Sequence, residues 1–463
     1  MNETDRMNYS VMLKKNDQVE IQIEDIGSAG EGIGRYEGYT LFVKDTVIAD
    51  RALVQVTKTG KTYGYARVVK LLQPSEYRVE PRCPIAARCG GCQLQHVDYQ
   101  KELEYKDNKV RNCLTRIGGF TELVMEPICG MEDPWHYRNK SQFPVGRNRD
   151  GSIAIGFYAG RSHDIIDTKH CYIGAEINIE ILEFLRAFFK KYNLEPYQEE
   201  SHKGLLRHIL TRVGFQTSEV MVCLVVNATD IPHKDELIEG LTKIKGMKSI
   251  CLNVNKEKTN VILGSRVIPL WGDPFITDKI GEISYQISPL SFYQVNPVQT
   301  KKLYDIALDY ADLHGDEVVW DLYCGIGTIS LFLAQKAKQV YGVEIIPQAI
   351  EDAKKNAELN DIHNTNFYVG AAEEVLPKAY KEEKIYADVI VVDPPRKGCD
   401  QSLLDTIIAM APKRVVYVSC DPATLARDLK YLCEKDFELV KVRAVDQFSY
   451  SVHVETVALL SRR

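Results

Sequence analysis

The sequence predicts a multi-domain α/β protein that ends in a doubly wound parallel sheet. Three observations support this fold class. From about residue 296 onward, apolar strand-like segments alternate with amphipathic helix-like segments, as in a parallel sheet covered by helices on both faces. Residues 10–72 alternate apolar and polar side chains between glycine turns, which predicts a small β-barrel. Residues 135–290 return to strands with one helix near 176–192, which predicts a central α+β region.

Length and composition narrow the class of protein. A chain of 463 residues is too long for one ordinary core, so we expect two to four domains. The composition is 45% hydrophobic and 26% charged, and no apolar run approaches the ~20 residues of a membrane span. The N-terminal segment is polar and lacks the apolar stretch of a secretory signal. We therefore expect a cytoplasmic protein, and nothing in the sequence indicates more than a monomer.

Polar side chains follow the strands of the predicted C-terminal sheet. In chain order they are Asp321 with Tyr323, then Glu344, Asp393 and Cys420. Ligands of open α/β sheets bind beyond the carboxyl ends of the strands. The sequence therefore predicts that these groups meet at one edge of the sheet.

The turn after the first of these strands contains Gly325 and Gly327, which permit close approach of a ligand to the backbone. Taken alone this pattern is weak, and a purely structural turn is at least as common. The third glycine of the dinucleotide fingerprint is absent, which disfavours a nicotinamide cofactor. Glu344 can accept hydrogen bonds from ribose hydroxyls. A nucleoside cofactor without a pyrophosphate, such as S-adenosylmethionine, fits best.

Cys420 has two interpretations. Most cysteines in β-rich segments are buried and inert. Beside a methyl donor, however, a thiolate can add to C6 of a pyrimidine and make C5 nucleophilic, after which a base removes the C5 proton. His453 and Glu455 on the final strand face the same side, so the pattern leaves either as the base. Amino-group methyltransferases carry an aromatic residue after a similar Pro-Pro, and Arg396 at that position disfavours that alternative.

Taken together, the motifs resemble one known family, the RNA (uracil-5-)-methyltransferases. They are FYQVNP, DLYCGIGTISL, GVEI, VVDPPRKG, YVSCDPATLARDL and HVETVALL, in the family's order. The resemblance implies a Rossmann-like methyltransferase domain, with Cys420 as nucleophile and Glu455 as base. It also implies an S-adenosylmethionine site made of Gln294, Tyr323, Glu344 and Asp393, with Phe292 and Asn296 at neighbouring family positions.

The cysteines add a second feature. The loop cysteines Cys83, Cys89 and Cys92, with the distant Cys171, form a four-thiolate set whose spacing alone allows zinc or an iron–sulfur cluster. The resemblance implies a [4Fe-4S] cluster. The other cysteines besides Cys420 are expected to be packing residues, namely Cys113, Cys129, Cys223, Cys251, Cys324, Cys399 and Cys433.

The resemblance also implies a division into domains. Residues 1–73 form an OB-like barrel similar to a TRAM domain. Residues 74–93 with 128–290 form the central α+β domain that carries the cluster and binds RNA. Residues 94–127 with 291–463 form the methyltransferase domain.

The resemblance implies an RNA substrate. The family's 23S rRNA members carry both barrel and cluster, so we expect C5-methylation of uridine there. Some archaeal tRNA enzymes of the family also keep the cluster, and a tRNA uridine is therefore the alternative. A nicotinamide-dependent oxidoreductase and a non-catalytic RNA-binding protein are the rivals from other classes. The net charge of −6 requires a local basic path for the RNA backbone. Our candidates for this path are Arg138, Lys140, Lys203, Arg207 and Arg212.

Overall fold

The computed structural model describes residues 13–160 and 162–463, so the polar segment at residues 1–12 lies outside the described residues. The chain divides into two compact units. The first comprises Met1–Lys106 with Tyr450–Val452, and the second Asp107–Ser449 with His453–Arg463. The three-domain division expected from the sequence stays a prediction.

The first unit contains a closed five-stranded barrel in the order β1-β2-β3-β5-β4. Its strands are β1 (Gln18–Ile26), β2 (Gly32–Tyr36), β3 (Tyr39–Val43), β4 (Arg51–Thr59) and β5 (Tyr63–Gln73). The interior is filled by alternate apolar residues such as Ile21, Leu41 and Val54. The sequence reading took the glycines of β2 for a turn. Gly34 instead lies within the strand, where a Cβ atom would stand 2.6 Å from the carbonyl oxygen of Gln22.

A seven-stranded sheet in the order β13-β12-β11-β10-β7-β8-β9 forms the central part of the chain. It follows helix α1 (Tyr99–Cys113), a π-helical turn at Leu114–Gly118 and strand β6 (Met125–Cys129). Its strands are β7 (Lys140–Arg147), β8 (Ile153–Tyr158), β9 (Ile165–Asp167), β10 (Leu206–Val213), β11 (Val220–Val226), β12 (Met247–Val254) and β13 (Arg266–Gly272). Helices α2 (Asn178–Lys191) and α3 (Lys234–Thr242) pack on this sheet, and α2 confirms the helix predicted near 176–192.

A short ribbon of β14 (Ile276–Ile280) and β15 (Ile283–Ile287) leads into an eight-stranded sheet in the order β18-β17-β16-β19-β20-β22-β21-β6. Its further strands are β16 (Val318–Leu322), β17 (Gln339–Glu344), β18 (Thr365–Val369), β19 (Val389–Val392), β20 (Arg414–Ser419), β21 (Phe437–Val445) and β22 (Glu455–Arg462). The helices are α4 (Pro297–Ala311), α5 (Thr328–Ala334), α6 (Pro347–Leu359), α7 (Ala372–Lys378), α8 (Gln401–Met410) and α9 (Pro422–Cys433), with a π-helical turn at Ala379–Glu383.

The eight-stranded sheet confirms the doubly wound class and corrects one detail. Strands β18 to β20 are parallel, as predicted. Strand β22 is antiparallel to both β20 and β21, so a purely parallel sheet was wrong at this end. Apolar clusters that include Leu331 and Leu403 cover the two faces of the sheet. No helix within residues 13–160 and 162–463 is both long and apolar enough to cross a membrane.

Candidate active site

A cavity of about 1020 Å³ opens at the carboxyl edge of the eight-stranded sheet. The chain leaves β16 towards β17 on one side and returns to β19 on the other, so the strand order reverses between β16 and β19. Ligands of open α/β sheets bind at such a point. The polar and reactive side chains of the wall include Arg138, Gln294, Tyr323, Glu344, Asp393, Arg396, Cys420, His453 and Glu455.

Cys420 and Glu455 come from neighbouring strands. Cys420 follows β20, and Glu455 begins the antiparallel strand β22. Ser419 pairs with Thr456, so the next step of the register places Cys420 opposite Glu455. Directly opposed residues of antiparallel strands have Cβ atoms about 5 Å apart. The nucleophile and the base named by the resemblance are therefore adjacent in the sheet.

Burial and charge control the protonation of this edge. Burial, together with the carboxylates of Glu455 and Asp393, raises the pKa of the Cys420 thiol to about 11. Burial and Asp393 raise the pKa of Glu455 to about 8, and burial raises the pKa of Asp393 to about 7. Arg396 opposes the shifts of Cys420 and Glu455. The Cys420 thiol and the Glu455 carboxyl group therefore hold their protons near neutral pH.

His453, the other candidate base, also lines the cavity. Its ring lies 6.3 Å from the ring of Phe448 in an edge-on arrangement. The structure thus brings both candidates to the cavity, and only Glu455 stands at the register position next to Cys420.

Glu344 is preorganised by backbone donors. One of its oxygens accepts a hydrogen bond from the backbone N–H of Gly325 (3.2 Å), and the other accepts from that of Ile346 (3.0 Å). Gly325 and Gly327 have φ angles of 55° and 81°, which explains glycine at both positions. This fixes a carboxylate beside a turn of bare backbone at the cavity wall.

Tyr323 has an unusual backbone for an aromatic residue, with φ of 71°. Such conformations persist where the surrounding structure enforces them, often at ligand sites. Its hydroxyl oxygen is buried and has no hydrogen-bond partner among the residues that the structure describes. A polar group of a bound nucleoside cofactor would satisfy this hydroxyl, so Tyr323 and Glu344 fit the group implied by the sequence.

The neighbouring positions differ in role. Gln294 lines the cavity, and its backbone carbonyl accepts from the Asn139 side chain (2.9 Å). Phe292 lines the cavity as well and is 69% exposed. Asn296 is fully buried and caps α4, where its side chain accepts from the N–H of Gln299 (3.2 Å). Asn296 does not line the cavity, and a ligand role for it stays a prediction from the resemblance.

Asp321 lies under the site rather than in its wall. It is fully buried, and the Ser330 hydroxyl donates to one of its oxygens. Burial raises its pKa to about 7. Its place at the strand end was predicted correctly, but it does not line the cavity.

Two of the expected RNA-contacting arginines are corrected by burial. Arg207 is 7% exposed and donates to the carbonyls of Asn255, Glu257 and Thr259. Arg212 is 3% exposed and donates to the carbonyl of Ser291. Both guanidinium groups are used by backbone oxygens, so neither belongs to a surface path for RNA.

The remaining candidates stay predictions. Lys203 is exposed, and Arg138 and Lys140 are half-buried. Burial lowers the pKa of Lys140 to about 8, and the positive charges of Arg212 and Arg138 add to the shift. Arg138 lines the cavity.

Arg396 is the functional residue whose role sequence reasoning missed. The sequence used it only to disfavour an amino-group methyltransferase. The structure places it in the cavity wall, where its charge acts on both Cys420 and Glu455. The available signal was a cation directly after a rigid Asp-Pro-Pro at the ligand-binding edge.

The metal prediction receives no support. Cys83 is buried, and Cys89, Cys92 and Cys171 are half-buried. Within residues 13–160 and 162–463, no group of three or more His, Cys, Asp or Glu side chains is arranged to hold a metal ion. The [4Fe-4S] cluster therefore stays a prediction from the resemblance.

Comparison with known proteins agrees with this geometry. Residues 98–463 match the family model "tRNA (Uracil-5-)-methyltransferase", and residues 13–69 match the TRAM domain. A Clostridium tetani protein named "Uncharacterized RNA methyltransferase" is 49% identical over 456 residues, which cover 98% of each chain. A Halalkalibacterium halodurans protein described as an RNA methyltransferase is 50% identical over 449 residues, 97% of this chain and 98% of its own.

A solved structure shows the same similarity. The Pyrococcus abyssi tRNA (uracil-54, C5)-methyltransferase in complex with S-adenosyl-L-homocysteine is 28% identical, with a TM-score of 0.76 over 96% of this chain and 100% of its own. The family match covers well over half of the chain, which disfavours both the oxidoreductase and the non-catalytic reading. The chain belongs to the tRNA (uracil-5-)-methyltransferase family and carries a TRAM domain.

Proposed function

We propose that this protein transfers a methyl group from S-adenosylmethionine to C5 of specific uridines in 23S rRNA. The observation that carries the reaction is the register of β20 and β22, which sets Cys420 beside Glu455 in one cavity with Gln294, Tyr323, Glu344 and Asp393. A sheet-edge carboxylate, a glycine turn and an unpartnered tyrosine hydroxyl fit a nucleoside cofactor.

Each residue has a defined part in this reaction. The Cys420 thiolate adds to C6 of the uracil ring, and the electron pair of the C5–C6 double bond makes C5 a nucleophile. S-adenosylmethionine, when bound, would supply an electrophilic methyl group whose bond to the sulfonium sulfur breaks as the bond to C5 forms, which would leave S-adenosylhomocysteine. After C5 has been methylated, the Glu455 carboxylate takes the C5 proton. The double bond re-forms as the C6–S bond breaks, which returns Cys420 to a thiolate.

The cavity residues support these steps through charge. Arg396 is the cation that favours the thiolate of Cys420. Glu344 and Tyr323 would hold the nucleoside part of the cofactor. Because duplex stacking hides C6, the target uridine must turn out of the RNA fold to reach Cys420.

The first test is covalent trapping. RNA with 5-fluorouridine at the target cannot release the C5 substituent as a proton, so we expect a stable complex of protein and RNA that denaturation does not separate. Cys420→Ala should abolish the complex. A complex that persists in Cys420→Ala would exclude Cys420 as the nucleophile. Cys433→Ala, a half-buried cysteine remote from the cavity wall, is the matched control.

The choice of RNA is a separate question. The TRAM domain and the cysteine loop support 23S rRNA. The similarity to the Pyrococcus abyssi enzyme, which is a tRNA (uracil-54, C5)-methyltransferase, favours tRNA as the second candidate. We expect radioactive methyl transfer to unmodified 23S rRNA and none to unmodified tRNA. The opposite pattern would leave the chemistry intact and replace the substrate.

A further inference from the structure

Three residues of α9 bind the loop that carries Arg396. The Thr424 hydroxyl donates to the carbonyl of Arg396 (3.1 Å), and Arg427 donates to the carbonyl of Lys397 (2.9 Å). One carboxylate oxygen of Asp428 accepts the N–H of Cys399 (2.8 Å). Three positions within four residues of the loop are thereby fixed to one helix.

Asp428 is the centre of this arrangement. It is 1% exposed, and the oxygen that accepts from Cys399 also accepts from the buried Tyr417 hydroxyl (2.7 Å). Its other oxygen accepts from Arg427 (2.8 Å). Hydrogen bonds to a charged acceptor are stronger than neutral ones, and the loss of such a buried partner is costly.

The loop has no room to adopt another position against α9. Gly398 has φ of 78°, and a Cβ atom there would lie 2.6 Å from both the Arg427 guanidinium and the Asp428 carboxylate. The backbone N–H of Gly398 donates to the carbonyl of Pro395 (2.9 Å), which closes a tight turn after the two prolines. The loop is therefore packed directly onto the carboxylate that binds it.

The same helix begins at the nucleophile. Cys420 is followed by Asp421, whose carboxylate caps α9 by accepting the N–H groups of Ala423 (2.9 Å) and Thr424 (3.1 Å). Helix α9 thus connects Cys420 at its start to the Arg396 loop along its side. A rigid helix with fixed caps holds such a distance better than a loop does.

We propose that Asp428 is a positioning residue that holds the Arg396 guanidinium at the distance from Cys420 at which it stabilises the thiolate. Within the described ranges Arg396 forms no ion pair of its own, so its position depends on the backbone of its loop. Asp428 touches no reacting atom, and besides this loop it binds the hydroxyl of Tyr417 on β20.

The test uses protein without RNA or cofactor, so its result does not depend on the proposed methyl transfer. The rate at which iodoacetamide alkylates Cys420, followed by mass spectrometry of the Cys420 peptide, reports the thiolate fraction. Asp428→Asn keeps the shape and removes the charge. We expect the alkylation rate near pH 8 to fall about threefold to tenfold in Asp428→Asn and in Arg396→Gln alike.

The double variant Asp428→Asn/Arg396→Gln distinguishes positioning of Arg396 from a general loss of packing around the cavity. If Asp428 acts through Arg396, the double variant should react no more slowly than Arg396→Gln alone. A loosened cavity would instead expose Cys420 and raise the rate in both backgrounds. A wild-type rate in Asp428→Asn, or losses that multiply in the double variant, would overturn the proposal.

Two further variants provide a control for the test and an alternative to Asp428→Asn. Asp405 on α8 accepts from the Tyr431 hydroxyl on α9, so Asp405→Asn removes another tyrosine–carboxylate bond between these helices without touching the loop. It should leave the alkylation rate unchanged. If Asp428→Asn does not fold, Thr424→Val removes only the donor hydroxyl near Arg396 and should lower the rate in the same direction. An unchanged rate there would also contradict the proposal.

Discussion

Glu455 is buried, although its proposed role as a base requires the ionised carboxylate. Its side chain is 4% exposed, and burial together with Asp393 raises its pKa to about 8. A base with a pKa close to the working pH accepts a proton with little penalty and is ionised often enough to act. The same feature makes activity depend on pH.

The pH profile of methyl transfer follows from this pKa. Below about pH 8, Glu455 is mostly protonated in the free enzyme and cannot accept the C5 proton. We expect kcat/KM to rise as the pH increases through about 8 and to go on rising towards about 11, because the Cys420 thiol, whose pKa is about 11, must also lose its proton. Asp393→Asn removes the neighbouring charge and should move the midpoint to lower pH, although it lowers the rate. A profile that is flat from about pH 6 to 9 would contradict the role of Glu455.

Glu455 should also cost the protein stability. Its ordinary pKa of 4.5 rises to about 8 in the folded state, so folding disfavours the ionised form. The penalty is absent below about pH 4.5, grows up to about pH 8 and stays constant above it. Glu455→Gln should therefore raise the melting temperature by ~5 °C near pH 9 and leave it unchanged near pH 4. Calorimetry at the two pH values measures this, and a lower melting temperature at pH ~9 would show that Glu455 stabilises the fold instead.

At the residue scale, much of the site could be predicted from sequence because strand ends are visible there. Asp393, Cys420 and Glu344 follow apolar runs and meet at one edge, as parallel strands require. The burial of Arg207 and Arg212 could not be predicted. Their partners are backbone carbonyls many residues away, and only the folded chain brings those oxygens close.

At the scale of elements, the sequence did not show which residue begins helix α4. Asn296 belongs to a motif that also contains the cavity residue Gln294, and the sequence does not show which of the two faces a ligand. The structure uses Asn296 to begin α4, before Pro297, and its amide also donates to the carbonyl of Gln447 (3.1 Å).

Separate measurements distinguish the two roles. Asn296→Ala should destabilise the protein by about 1–2 kcal/mol through loss of the cap, with the KM for S-adenosylmethionine changed less than about twofold. Gln294→Ala should raise this KM and leave the melting temperature close to wild type. An Asn296→Ala protein with normal stability and a KM raised about tenfold would return Asn296 to the binding site.

Two features of the strands could not be predicted from the sequence, for physical reasons. Strand β2 is rich in glycine, which is depleted in strands, and its close contact with β1 is visible only in the closed barrel. The reversed direction of β22 depends on which strands pair, and local side-chain alternation is the same in either direction.

For the molecule as a whole, the charge of −6 means that RNA must be bound through a few local cations. The buried Arg207 and Arg212 are removed from that set, while the exposed Lys203 remains in it. The set of cations expected to contact RNA is therefore smaller than the sequence indicated.

The metal content of the purified protein tests the predicted iron–sulfur cluster directly. From the resemblance we expect anaerobically purified protein to be brown and to contain iron, with the colour lost in Cys89→Ser. Cys399→Ser, a buried cysteine outside the loop, is the control and should keep the colour. Colourless protein with zinc would replace the cluster by a zinc site, and metal-free protein would remove both.

The pairing of Ser419 with Thr456 has a consequence for how this protein can change over evolutionary time. Because side chains alternate between the faces of a sheet, a slip of one residue between β20 and β22 would present Val454 or Thr456 to Cys420 in place of Glu455. An insertion or deletion inside either strand would therefore separate Cys420 from Glu455 and abolish the activity. Descendants that keep the reaction must keep the hydrogen-bond pairing of β20 with β22. Surface loops elsewhere can lengthen, and such changes can alter which RNA is selected.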